Sequence, residues 1–227
     1  MKKIQAALKH TLLTAGLAST MTLSASAQQA NEDARPNPLL VYSDLTFKAP
    51  KFDWIEETDY QPALLEAISM QRYAINKIVN NKAKPTFLNT IVAFEESGKM
   101  LDHVSSVFYC LTSADKTPII AQTEKEMTPV LTDWENKITF NTKLFNRIKY
   151  VYDHERSKLK GENLKLLDET YKQFVRSGAL LSPEKKARME QINKRIAELQ
   201  QQWGTTLTDA TNHAVVWVNI KDEMKGL

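Results

Sequence analysis

Six glycines and eight prolines in 227 residues leave little to interrupt a chain whose apolar side chains recur every three to four positions almost throughout. That spacing confines the fold to helices. From Thr58 the stripe Leu64, Leu65, Ile68, Ile75, Ile78 and Val79 predicts a first helix, which NNKAKP stops. Thr86, after Pro85, caps the next one, and its seam Phe87, Ile91, Phe94, Gly98, Leu101, Ser105, Phe108 alternates steps of four and three. Such a seam packs along another helix, and Gly98 and Ser105 would let a partner backbone come close. A third helix is expected from Pro118 to Ile138 with Met127, Val130, Leu131 and Trp134 inward. Asn141 caps a short fourth one carrying Leu144, Phe145, Ile148 and Val151. Leu164, Leu167, Tyr171, Phe174 and Val175 form a fifth stripe, closed by Gly178 as a left-handed cap. Ser182-Pro183-Glu184 restarts the chain with a hydroxyl cap, a proline at the first helical position and an acid at the positive end. The helix that follows places Ile192, Ile196, Leu199, Trp203 and Leu207 on one face.

Two stretches depart from the helical period. Residues 36 to 56, with prolines at 36, 38 and 50 and no regular spacing, read as an extended segment lying on the body, within a region spanning 28–57. AVVWVNI, residues 214–220, reads as a lone β-strand, whose hydrogen-bonding groups need a partner from elsewhere. The chain stops seven residues later at KDEMKGL, so the region 58–227 reads as an interrupted protein. The fold class is therefore all-α, a bundle of long amphipathic helices with one orphan strand near the C-terminus.

The N-terminus carries an address. Lys2, Lys3 and Lys9 precede an apolar run from Thr11 to Leu23, and Ala25-Ser26-Ala27 gives the small-x-small signature of a signal-peptidase site. Residues 1–27 are expected to be a signal peptide, which places the mature protein outside the cytoplasm, in the periplasm. The run is short for a permanent span of about 20 apolar residues, so no stable membrane anchor is expected. The formal net charge of +3 is matched by those three lysines, so the remainder is close to neutral with acids and bases interleaved. No basic stripe is left to displace counterions from a phosphate backbone, and nucleic acid is not an expected partner.

Candidate chemistry is sparse. HERSK, from His154 to Lys158, begins as the zinc motif H-E-x-x-H, in which two histidines one turn apart bind the metal and the glutamate activates its water. Lys158 stands at the second histidine, and an ammonium has no lone pair for a metal. The stretch is expected at a frayed helix end, where His154 favours the negative end of the dipole. Cys110, the one cysteine, closes no internal disulfide and reads as a packed apolar residue in VFYCLT. His10 lies in the signal, His103 beside a seam at a surface or boundary, and His213 before the strand, too far apart for ligand spacing. No catalytic, cofactor-binding or metal residue is assigned.

Several phrases in order resemble the M3 family of zinc oligopeptidases, in particular its bacterial peptidyl-dipeptidase (dipeptidyl carboxypeptidase) branch. They are NPLL from Asn37, FDWIEETDYQPAL from Phe52, PTFLNTIVAFEESG from Pro85, VFYCLTSAD from Val107, KLFNRIKYVYD from Lys143, and YKQFVRSGALLSPEKKARMEQINKRIAELQQQWG from Tyr171. Leu88, Trp134 and Trp203 depart from the family's usual acidic residue, histidine and phenylalanine, and read as packing or surface variation. The resemblance implies a helical metallopeptidase whose two halves enclose a channel and which cleaves short peptides, often releasing C-terminal dipeptides. It also implies that the H-E-x-x-H helix and the further glutamate that hold zinc lie beyond position 227, so that HERSK is a coincidence and this chain alone binds no zinc. The expectation is the N-terminal helical part of such an enzyme, inactive without its catalytic half. The alternative from a different class is a non-catalytic exported helical binding or scaffold module.

Overall fold

A computed structural model describes residues 35–215. The chain divides into two compact units, Met1–Asn37 and Pro38–Leu227, and the architecture below is that of the described part of the second. The expected signal peptide lies outside the described residues.

Residues 38–59 carry four single-turn 3-10 helices, Pro38–Leu40, Thr46–Lys48, Phe52–Trp54 and Glu57–Asp59. The stretch expected to be extended is thus a string of turns; Pro38 opens the first, where its fixed φ suits a helical turn, and the other three contain no proline. Leu39 is buried and anchors it to the body. Glu56 and Asp59 form a reciprocal capping box, and the chain then enters α1, Tyr60–Asn80.

A π-helical segment, Phe87–Val92, runs directly into α2, Ala93–Ala114. Thr86 caps it as expected: its hydroxyl accepts from the Asn89 N–H at 3.2 Å, and Asn89 Oδ1 accepts from the Thr86 N–H at 2.9 Å. Helix α3, Pro118–Thr139, is capped by Thr117 and carries Pro129 on its exposed side, where the carbonyl left without a donor can face water. Asn141 caps α4, Thr142–Glu155, through a 3.0 Å bond from the Leu144 N–H. A 3-10 turn, Arg156–Lys158, leads to α5, Gly161–Arg176. Ser182 and Pro183 open α6, Pro183–His213, as their order predicts.

Helix α1 lies along α2 and also reaches α3 and α4, while α5 packs on α4 and on the π-helical segment; α6 packs on α3. The core sits among α1 to α5: Tyr60, Leu64, Ile91, Val104, Phe108, Ile120, Met127, Leu144, Ile148, Val151 and Leu167 are fully buried. An aromatic cluster joins α2, α4 and α5, with Phe94 edge-on to Phe174 at 5.5 Å and Phe145 stacked on Tyr171 at 5.9 Å.

Three side chains expected inside are exposed: Leu65, Val130 and Cys110. Leu65 and Val130 follow or precede a core residue by one position, hence about 100° round the helix, and the covered stripes are too narrow to include them. Cys110 is two positions past Phe108 and falls on the far side of α2. No strand occurs among the described residues: Ala214 and Val215 have no regular structure, and the rest of the expected strand, 216–220, lies outside them.

Candidate functional site

The α4 stripe Leu144, Ile148, Val151 also contains Arg147, three residues from one and four from another, so its guanidinium is carried into the interior. There it donates to the carbonyl of Asn81 at 2.9 Å and to Asn89 Oδ1 at 3.0 Å. Two carbonyl and amide acceptors, and not a carboxylate, hold this buried cation, which fixes the α1 to π-helix connection against α4. About two turns further on, Glu155 Oε2 accepts from the Phe87 N–H at 2.7 Å. A carboxylate at a helix N-terminus meets both an unsatisfied donor and the positive end of the dipole.

Each remaining polar member of HERSK also has a structural partner or faces solvent. The His154 ring stacks on Tyr150 at 4.1 Å and its Nδ1–H donates to the Tyr150 carbonyl at 2.8 Å. Arg156 makes a two-pronged ion pair with Asp168, at 2.7 and 2.8 Å, and the guanidinium holds that carboxyl below the usual aspartate range. Lys158 is exposed. Among the described residues no group of three His, Cys, Asp or Glu could hold a metal ion. Zinc, which the family resemblance implies, does not fit HERSK: His154 and Glu155 are engaged with the backbone and no third donor joins them.

A cleft of about 440 Å³ lies between α2 and α3, with α1 at its floor and α5 at one end. Its origin is the small-residue seam. Ile91 and Phe108 at the two ends of that seam are buried, but over Gly98 and Ser105 the expected helix backbone does not arrive; the closest group to a β-carbon at Gly98 would be Gln71 Nε2, at 3.2 Å. Gln71 is itself held by Trp134, whose indole N–H donates to its Oε1 at 2.7 Å. Trp134, one of the three departures from the family pattern, thus packs the floor, with the Arg72 guanidinium over its ring. Leu88 and Trp203, the other two, are exposed.

Glu95, Asp102 and Glu135 lie on the cleft lining, which contains no lysine, arginine, histidine or cysteine. Such a lining can accept cationic or amide groups, and it offers neither a thiol nor an imidazole for covalent or general-base work. His103 faces away, into a shallow depression beside Tyr42, with ring centroids 5.1 Å apart; partial burial lowers its pKa. This is the boundary position the sequence predicts. Sequence reasoning missed Arg147 and the capping role of Glu155. A cation on an apolar stripe was the available signal for the first; nothing local signals the second, because its partner is 68 residues away.

No helix among the described residues is long and apolar enough to cross a membrane. No protein-family model matches the chain. Among curated proteins it is 37% identical over 176 residues to a dipeptidyl carboxypeptidase of Salmonella typhimurium, a match covering 77% of this chain and 26% of that protein. It is 33% identical over 192 residues to the Escherichia coli dipeptidyl carboxypeptidase, covering 84% and 28%. Oligopeptidase A of Salmonella typhimurium matches the same length at 24% identity. The chain spans only about a quarter of the length of these relatives, yet the matches cover 77 to 84% of this chain: it belongs to the M3 family of peptidases, with the dipeptidyl carboxypeptidases among its relatives.

Proposed function

We propose that this chain is the N-terminal helical portion of an exported zinc peptidyl-dipeptidase, building one wall of a channel that admits short peptides, and that it is inactive alone. The observation that carries the reading is the 37% identity to a dipeptidyl carboxypeptidase over 77% of the chain but 26% of that relative. The structural roles of Glu155 and His154 support the second half of the reading, since they leave the one motif-like stretch no metal-binding capacity. The acidic cleft between α2 and α3 is a place where this wall would meet the amide groups of a peptide. Export rests on the charged, apolar and Ala-Ser-Ala succession in residues 1–27.

The test is hydrolysis. The 227-residue chain should release no dipeptide from a short blocked peptide with zinc present. The same chain joined to the uncovered portion of the Salmonella relative should release dipeptides, and a chelator should stop it. Zinc-dependent cleavage by the short chain alone would refute the proposal. A stand-alone scaffold is the competing reading, favoured by the buried core that α1 to α5 share among the described residues; it predicts no hydrolysis in either form.

A further inference from the structure

Helix α6 is docked by the wrong face. Its contacts with α3 are mainly polar: the Asn193 amide donates to Asn136 Oδ1 at 2.6 Å and Lys194 pairs with Asp133 at 2.8 Å, with Ala197 and Gln201 on the same side and Met189 and Ile196 at its edge. Its apolar stripe, Ile192, Ile196, Leu199, Trp203 and Leu207, follows steps of four, three, four and four, and its members are 38 to 70% exposed. No residue of this 31-residue helix is buried. Helices in water normally dock by the apolar stripe, and here the stripe is the part left over.

We propose that this stripe is an interface for the portion of M3 polypeptide that the chain does not span, meeting it with an apolar helical or strand face. The inference rests on the proposed function and names the surface through which the two parts join. The stripe spans 15 residue steps, about four turns or about 22 Å of helix, and is about 10 Å wide. That area, on the order of 220 Å², is well under the roughly 800 Å² per partner of a stable complex between separate chains, which disfavours a second copy. A covalently continuous segment needs far less, because the link replaces the entropic cost of association by a high effective concentration. Relatives matched over only 26 to 28% of their length carry such a segment. The flanking Arg195 and Glu198 pair with each other at 3.1 Å, which leaves the apolar side chains as the main feature this face offers a partner.

The experiment replaces the 176 matched residues of the Salmonella dipeptidyl carboxypeptidase with those of this chain and follows amide hydrogen exchange across 190–208, beside the 227-residue chain alone. Exchange there should be at least tenfold slower in the chimera. Trp203→Glu should abolish that difference while leaving the thermal midpoint of the isolated chain unchanged. If the full replacement does not fold, exchanging only the segment equivalent to 183–213 gives the same readout. Equal exchange in chimera and isolated chain would overturn the inference. So would an isolated chain that sediments as a dimer and dissociates on Trp203→Glu, or one whose α6 exchange accelerates when residues 216–227 are deleted. A chimera that protects α6 but releases no dipeptide would support the interface and count against the proposed function.

Discussion

Glu155 shows how one side chain can be read two ways, as the catalytic glutamate of a metal motif or as a cap on a distant helix. Its 2.7 Å bond from the Phe87 N–H makes the second reading measurable. Glu155→Ala should cost about 1 to 2 kcal/mol of stability, the range for losing a helix-capping acceptor, when unfolding is followed in urea. His154→Ala should leave zinc titrations unchanged, and a stoichiometric site lost in that variant would contradict the structural assignment. Tyr60 offers a test with the opposite sign. Its hydroxyl is buried with no hydrogen-bond partner among the described residues, and burial pushes its pKa up to about 12. A raised phenol keeps its proton longer in the folded state than in the unfolded one, so its contribution is present below about pH 10 and is lost as pH rises through the folded value. Tyr60→Phe should be neutral or stabilising at pH 7 and should flatten the alkaline decline in melting temperature. A loss of more than about 1 kcal/mol at neutral pH would mean the hydroxyl has a partner. Phe94, half-buried and edge-on to Phe174, should lose about 1 to 3 kcal/mol on truncation to alanine, less than a fully buried phenylalanine. Lys99→Ala should stay under about 0.5, and equal urea midpoints for these two variants would show that the helix phase is wrong.

At the scale of elements, two glycines separate backbone strain from crowding. Gly161 and Gly178 both have positive φ, +55° and +96°, but a β-carbon at Gly161 meets nothing within 4 Å, whereas at Gly178 it would lie 2.7 Å from Leu181 Cδ1. Gly161→Ala should cost about 1 to 2 kcal/mol, the left-handed penalty alone, and Gly178→Ala more, by chemical denaturation of both variants. Equal losses would place Leu181 elsewhere. Helix starts were legible because their signals are local: Thr86, Asn141 and Ser182 each accept the amide hydrogen their spacing predicts. Which face of α6 would be used was not legible. Its apolar stripe points to one side, yet Asn136 and Asp133 hold the helix by another, and a polar pairing across 57 residues leaves no periodic trace. The cleft was half legible. Gly98 and Ser105 announced a close approach, but Gln71, from another helix, occupies part of the space they leave.

For the whole molecule, the order of phrases along the chain carried more than any residue within it, because each phrase is mostly the apolar spacing and capping of a helix, which many chains share, whereas their succession is specific. On the proposed function, the catalytic part of this family's fold is specified elsewhere in the gene. Reading the coding DNA past the Leu227 codon tests it most directly. Several hundred further codons are predicted, in frame or after a single frameshift or stop, encoding H-E-x-x-H within a helical pattern and a later glutamate, which together give three protein ligands with a fourth zinc position open. A native stop followed by unrelated genes, in a strain whose 227-residue product is made and folds cooperatively, would contradict it.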